Sequence, residues 1–243
     1  MQSLNRLQMA WRAAQNIQDG MVVNLGLGMP VHVSDYVPHD REVFIQSENG
    51  VIGAGPLADA AAADADLVDA GSRRITLRPG ATVIDSAASF AMIRGGHIDV
   101  TVLGAFEVAD NGDLANWDMR VPGKGPLVGG AMDLAASARE VWALMEHCTR
   151  KGAPRLLKKC TLPLTALGCV RWIFSDFSVI EVTAGGFLVH EIVEGMSRED
   201  LQARTGAPLG FASGCRALVA PLLVDPTQWS TGSTPAAWRC VTT

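Results

Sequence analysis

The chain has 243 residues, enough to bury a substantial core as one domain or a compact domain with extensions. Hydrophobic residues make up 48% and charged residues 19%, the balance of a globular protein and not of a disordered one. The net charge is −5 and no basic run of five or more residues occurs, which argues against nucleic acid as a partner.

Residues 1–18 carry Asn5, Arg6, Gln8 and Arg12 among their apolar positions, so no apolar stretch reads as a secretion signal. No segment reaches the roughly 18 uncharged apolar residues of a membrane span. These features give the expectation of a cytoplasmic protein without membrane contact. The five cysteines, Cys148, Cys160, Cys169, Cys215 and Cys240, form no C-x-x-C pair and are odd in number, which reads as free thiols in a reducing compartment.

In chain order, Leu4, Leu7, Trp11 and Ala14 recur at helical spacing and predict an opening amphipathic helix ended by Asp19-Gly20. Residues 21–25 read as a short buried strand running into Gly26-Leu27-Gly28, with Pro30 in the first turn of a following helix. Residues 43–46 form a second strand that delivers Ser47-Glu48-Asn49-Gly50. The Ala- and Asp-rich residues 57–66 read as a mobile loop or weak helix, and 75–77 as a strand. Residues 86–94 read as a helix stopped by Gly95-Gly96, and 100–103 and 141–145 as strands. Residues 179–182 and 187–190 flank Ala184-Gly185-Gly186 and predict a β-hairpin. Ser197 and Asp200 stand at capping-box spacing before a helix over 197–205 that Gly206 ends. Strands interleaved with helices argue for an α/β fold with a largely parallel sheet. The domain is expected over 1–209. After Leu209 the periodicity fades among Pro221, Pro226, Trp229, Pro235 and Trp238, and 210–243 is read as an extension that packs loosely or is disordered.

Glu48 is the residue that invites chemistry. It lies between the apolar runs Val43-Phe44-Ile45 and Val51-Ile52, and a carboxylate at the exit of a buried strand is costly unless hydrogen-bonded or left reachable by substrate. Two glycine-rich turns, Gly26-Leu27-Gly28 and Gly129-Gly130-Ala131, can bring bare backbone close to it. A strand-end carboxylate that merely caps a turn is the competing reading. Other chemistries find less support. The third glycine of a dinucleotide fingerprint is missing, since Val31 stands there. Ser47 and Ser89 lack the G-x-S-x-G context of a serine hydrolase. His32, His39, His97, His147 and His190 show no H-x-x-x-H spacing and no cysteine joins them in a ligand pattern, so no metal site is expected. His97, after Gly95-Gly96, reads as a turn residue. Asn49 and Asn116 can serve the site or satisfy a local turn.

The segment Gln46-Ser47-Glu48-Asn49-Gly50-Val51-Ile52-Gly53 resembles the glutamate motif of the family I CoA-transferases. Residues 23–30, 112–117, 129–134 and 161–165 are similar to further motifs of that family and occur in family order, so the resemblance covers roughly residues 5–209. It implies a ping-pong transfer in which the Glu48 carboxylate attacks an acyl-CoA thioester and ends as a glutamyl-CoA thioester. No ATP, metal or tightly bound cofactor is then needed, and CoA thioesters are the substrates. The implied oxyanion and substrate-binding groups are Asn24, Gly26, Gly28, Asn49, Gly129 and Gly130.

The resemblance also implies that this is a B subunit. The partner would be an A subunit of similar fold supplying much of the CoA site, with two copies of each chain assembled. Residues 121–128 replace a longer basic loop of the acetoacetate-type members, and segments 112–117 and 129–135 are closer to the 3-oxoadipate enzymes. That favours transfer from succinyl-CoA to 3-oxoadipate over transfer to acetoacetate. The rival of a different class is a small-molecule-sensing domain of the same fold, against which the intact glutamate motif and the lack of a DNA-binding segment both argue.

Overall fold

The computed structural model of the protein describes residues 3–59, 61, 63–123 and 125–223. Pro226, Trp229, Pro235, Trp238 and Cys240 lie outside these residues.

Helix α1 (Arg6–Ala14) starts at Asn5, whose side chain accepts from the Gln8 N–H at 2.9 Å while Gln8 Oε1 accepts from the Asn5 N–H at 3.0 Å. This reciprocal capping box satisfies two backbone donors that helix geometry leaves over. Its buried stripe is Met9, Ala10, Ala13 and Ala14, with Leu7 and Trp11 only half-buried, so the face is rotated from the expected one. Strand β1 (Val22–Leu25) follows, then a 3-10 helix over Met29–Tyr36 with Pro30 in its first turn. Strand β2 (Phe44–Gln46) leads through the 47–50 turn into β3 (Val51–Leu57). Residues 57–66, expected as a loop or weak helix, carry no helix among the described positions and connect to β4 (Ile75–Val83).

Helix α2 (Ser86–Arg94) is capped by the Asp85 carboxylate, which accepts from the Ala88 N–H at 2.8 Å, and is closed by Gly95 with Gly96 at φ +74°. Strands β5 (Val100–Leu103), β6 (Glu107–Ala109) and β7 (Leu114–Ala115) precede helix α3 (Ala131–Ser137). Then come β8 (Glu140–Met145), β9 (Leu156–Leu157), β10 (Val170–Ser175) and the hairpin β11 (Ser178–Thr183) and β12 (Gly186–Val193). Helix α4 (Arg198–Ala203), N-capped by Ser197, crosses to β13 (Leu209–Leu218).

Ten strands form one sheet in the order β13-β12-β11-β10-β8-β5-β1-β2-β3-β4. The five central strands from β10 to β2 run parallel, and antiparallel hairpins extend the sheet on both sides. The central strands are near-continuous apolar runs: β5 and most of β8 are buried throughout, as strands covered on both faces must be. At one edge, β4 is mostly exposed and holds Pro79, a residue an edge strand tolerates because its missing N–H faces no neighbour. A small second sheet has the order β7-β6-β9.

The expectation for residues after 209 is corrected over 210–218. They form β13, parallel to β12 with Leu188 opposite Gly210 and Ile192 opposite Ala217. Arg216 reaches back to the buried Glu191, donating from Nε and Nη2 at 2.9 and 2.6 Å, and Arg12 of α1 grips the same carboxylate from the other side. Periodicity fades in the sequence here because the strand lies at the sheet edge, where half of its ten residues are exposed and only Leu218 is fully buried.

Candidate active site

The chain leaves β1 toward β2 on one side while β5 lies on the other, so the strand order reverses beside β1. Open α/β sheets bind ligands outside the carboxyl ends of their strands at such a point. The turn carrying Glu48 stands there, at the carboxyl end of β2. It is closed by the Ser47 N–H donating to Val51 O at 2.8 Å and the Gly50 N–H donating to Ser47 O at 2.9 Å. Gly50 sits at φ +117°, and a Cβ there would stand 2.0 Å from the Ile84 carbonyl oxygen, so both the backbone angle and the space demand glycine.

The Glu48 side chain is half-buried, and among the described residues no hydrogen bond or ion pair reaches its carboxyl. A Cβ added at Gly130 would stand 2.4 Å from Glu48 Oε2 and 2.9 Å from Phe90 Cζ, so the carboxyl lies against the Gly130 backbone and beside the Phe90 ring. Burial raises the carboxyl's pKa above its ordinary value, and the negative charge of Asp133 raises it further. Asp133 is itself paired with Arg94 across α2 and α3, Nε to Oδ1 at 2.7 Å, and the Arg94 guanidinium lies 5.8 Å from the centre of the Phe90 ring. A desolvated carboxylate without a partner is a better nucleophile than a hydrated or ion-paired one.

The other residues singled out from the sequence fall into distinct places. Gly130 meets Glu48 directly. Gly129 and Gly28 are exposed, with open space where a Cβ would point. Gly26 packs against β5: a Cβ would come within 3.2 Å of Val102 O, which also accepts from the Gly26 N–H at 2.8 Å. The Asn24 amide turns inward, donating from Nδ2 to Gln46 Oε1 at 2.6 Å and to Gln46 O at 3.3 Å. Asn49 donates from Nδ2 to Val68 O at 2.9 Å and so ties the 66–70 stretch to the Glu48 turn. That stretch is further clamped by Arg73, which bonds Asp69 at 2.7 Å and Val31 O at 2.9 Å.

Asn116 is committed within the fold, donating to Gly104 O at 3.0 Å and accepting from Thr165 Oγ1 at 2.6 Å. The segments 112–117 and 161–165 are thereby locked together, with the Trp117 indole N–H on Leu164 O at 3.1 Å. His97 is exposed next to Gly95, in keeping with a turn residue. Residues not singled out from the sequence complete the surroundings: Phe90, Asp133, Gln46 and Thr101, together with Ser89 in a role other than the hydrolase nucleophile. A polar residue inside an apolar strand, as in Val22-Val23-Asn24-Leu25 and Phe44-Ile45-Gln46, is the signal that points to part of this set.

Cysteines offer no competing nucleophile here. The four described thiols are free, and burial pushes Cys160 up to about 12 and Cys169 up to about 11, away from the thiolate form that reacts. Among the described residues no group of three or more His, Cys, Asp or Glu is placed to hold a metal ion, and no helix is long and apolar enough to cross a membrane.

The sheet and the glutamate turn at its reversal point define a protein of the CoA-transferase fold class, and comparison with known proteins agrees. The chain belongs to the Coenzyme A transferase family, whose description matches residues 6–204. It is 47% identical over 206 residues to the B chain of the 3-oxoadipate CoA-transferase of Pseudomonas putida, covering 85% of this chain and 96% of that one. It is 44% identical over 203 residues to the corresponding chain of a probable succinyl-CoA:3-ketoacid coenzyme A transferase of Bacillus subtilis, covering 83% of this chain and 93% of that one. Among solved structures, an acyl-CoA transferase of Escherichia coli O157:H7 superposes with a TM-score of 0.70 at 16% identity, covering 89% of this chain and 43% of that one. The family match displaces the reading of the chain as a sensing domain in favour of a transferase.

Proposed function

We propose that this chain is the glutamate-bearing B subunit of a two-subunit CoA-transferase that moves CoA from succinyl-CoA to a 3-oxo acid, with 3-oxoadipate as the favoured acceptor. The observation that carries the reading is the Glu48 carboxyl: half-buried, without hydrogen bond or ion pair among the described residues, and lying against the bare backbone of Gly130. A carboxylate so exposed to a reactant and so poorly solvated serves as a nucleophile and has no evident structural duty.

The chemistry balances without any further reagent. A Glu48 carboxylate oxygen bonds to the acyl carbon of succinyl-CoA, the C–S bond breaks and CoA leaves as thiolate, giving a mixed anhydride. The thiolate then bonds to the Glu48 carbonyl carbon, the anhydride C–O bond to the glutamyl carbon breaks, and succinate leaves. The acceptor acid repeats the two steps in reverse, so the thioester's free energy is retained. Each tetrahedral step places negative charge on an oxygen beside Glu48. Backbone N–H groups around Gly129 and Gly130, and around Asn24, Gly26 and Gly28, are the proposed stabilisers, with Asn49 at the rim. The amide of Gly26 is already bonded to Val102 O, which favours the 129–130 side.

Identity to the Pseudomonas relative supports 3-oxoadipate, and the Bacillus relative supports the wider 3-ketoacid class as the second reading. An A subunit completing the CoA site and an assembly with two copies of each chain belong to the same proposal. So do a cytoplasmic setting and a chemistry confined to residues 1–209, with 210–218 serving as the edge strand β13.

The test is a trapping experiment on the co-expressed pair. Incubated with succinyl-CoA and no acceptor, the pair should accumulate a CoA adduct that mass spectrometry maps to the peptide with Ser47, Glu48 and Asn49. Hydroxylamine should modify that peptide only after exposure to the donor. A CoA adduct on another residue, or substantial transferase activity in Glu48→Ala, would sink the reading. Turnover of 3-oxoadipate against acetoacetate in the same pair decides between the two acceptors.

A further inference from the structure

Three parallel strands set one polar side chain each in a single row. Asn24 of β1 lies opposite Thr101 of β5 on one side and opposite Gln46 of β2 on the other. None of the three is more than 1% exposed. Amides and hydroxyls taken out of water destabilise the fold unless they are bonded, and apolar side chains would fill these strand positions at less cost. The row is bonded in one direction. Thr101 Oγ1 donates to Asn24 Oδ1 at 3.5 Å, and Asn24 Nδ2 donates to Gln46 Oε1 at 2.6 Å. Gln46 Nε2 donates to Ser89 Oγ at 2.8 Å and to Ser47 O at 3.2 Å, and Ser89 Oγ donates to Ser47 O at 3.5 Å. The row therefore ends on the carbonyl immediately before Glu48, the same carbonyl that accepts from the Gly50 N–H to close the turn.

We propose that Gln46 is a positioning residue for the transfer reaction: its buried amide holds the Ser47 carbonyl and thereby fixes the direction in which the next residue presents its carboxylate. The proposal rests on the reading of Glu48 as the nucleophile. Gln46 touches no substrate. It acts through the 47–48 peptide, whose rotation would swing the Glu48 carboxylate away from the thioester while leaving the substrate site itself unaltered. The requirement for an amide is specific. The side chain must accept from Asn24 at Oε1 and donate from Nε2 to two oxygens, which neither a carboxylate nor an aliphatic chain of the same length can do.

The experiment is single-turnover formation of the CoA adduct in the co-expressed pair of subunits, followed by mass spectrometry over a range of succinyl-CoA concentrations. In Gln46→Met the saturating rate is expected to fall about a hundredfold, the scale of a misplacement of about 1 Å. The half-saturating concentration should stay within about twofold, because substrate binding is not what is lost. Ser89→Ala is the second variant: alanine is the best helix former, so α2 should hold, while loss of one bond to the row should slow adduct formation by about tenfold. A folded Gln46→Met pair forming the adduct at the wild-type rate overturns the proposal. If Gln46→Met does not assemble, Ser89→Ala decides alone, a lowered saturating rate supporting the proposal and a wild-type rate overturning it. An adduct of the wild-type pair that maps away from Glu48 overturns both readings, whereas an adduct on Glu48 formed undiminished in the variants overturns only this one.

Discussion

Gly130 lies so close to Glu48 that a single methyl group on it would stand 2.4 Å from the carboxylate oxygen Oε2. The backbone there is ordinary, with φ −69° and ψ −4°, so an alanine would meet no strain of its own. Only the space is at issue, and the atoms in the way belong to Glu48 and to Phe90, 2.9 Å distant. Gly130→Ala is therefore expected to leave the melting temperature within a few degrees, since alanine for glycine at a helix start costs about 1 kcal/mol, worth about 2–4 °C in a chain of this size. Adduct formation at Glu48 should drop by about a hundredfold, because the carboxylate must move by about an ångström. Unchanged adduct formation in a folded Gly130→Ala pair would show that the carboxylate does not need this contact.

The parts of the fold that could be read from the sequence are those whose signals are local. Helix α2 and strand β5 fall at the expected 86–94 and 100–103 because Asp85, Gly95 and Gly96 punctuate the one and an unbroken apolar run makes the other. Strand β4 extends past the expected 75–77 to Val83, since six of its nine residues are exposed and Pro79-Gly80 reads as a turn. The strands β6, β7 and β9 are two or three residues long and carry no period at all. In the site, the Glu48 turn was legible from its motif, but the row from Thr101 through Asn24 to Gln46 was not. It depends on the register of three strands that are 22 and 77 residues apart in sequence, and neighbouring parallel strands leave no mark of register in either segment. For the same reason the inward turn of the Asn24 amide could not be anticipated.

Strand β13 makes a prediction about truncation. A chain ending before Gly210 loses the strand that covers β12 and the Arg216 partner of Glu191, which is only 4% exposed. The newly bare edge would present unpaired N–H and C=O groups to other molecules. Such a chain is expected to aggregate or to be recovered largely insoluble. A soluble, fully assembled truncation, judged by size-exclusion chromatography with its partner, would contradict this.

The acid limb of the reaction should report Glu48. The carboxylate form is the nucleophile, and burial followed by the Asp133 charge holds its pKa above the ordinary value. Activity should therefore fall on acidification, beginning at a higher pH than an unperturbed glutamate would give. Asp133→Asn removes a like charge, so the limb should move to lower pH. Arg94→Gln, which takes the neutralising partner from Asp133, should move it to higher pH. The profile of kcat/KM against pH for the three pairs is the measurement, and shifts of the same sign in both variants would rule out this electrostatic account.

A buried histidine, His147, also couples the fold to pH. It is fully buried, with Nδ1 3.1 Å from Ser175 Oγ and Nε2 2.9 Å from Thr205 Oγ1. Thr205 Oγ1 donates onward to Leu201 O at 2.8 Å and so accepts from the ring, which places the proton of the neutral imidazole on Nε2. Ser175 Oγ, 3.1 Å from Nδ1, accepts from the Ser178 N–H at 3.0 Å and donates to the Ser178 carbonyl at 3.2 Å. Burial first, and the Arg204 charge second, lower the pKa to about 4 from 6.5. The unfolded chain then binds the proton before the folded one, so stability is full above about pH 6.5 and declines as the pH falls toward 4, by about 3 kcal/mol in all. Asp176, which accepts from the His147 N–H at 2.7 Å and whose own pKa is raised by burial, works in the other direction, so the wild-type curve alone mixes the two. The comparison with His147→Gln isolates the histidine: glutamine can offer a donor and an acceptor but does not titrate. Melting temperatures from pH 7 to pH 4 should fall more steeply for the wild type than for the variant, and the two curves should converge on the acid side. Parallel curves would mean that His147 is not the group that titrates.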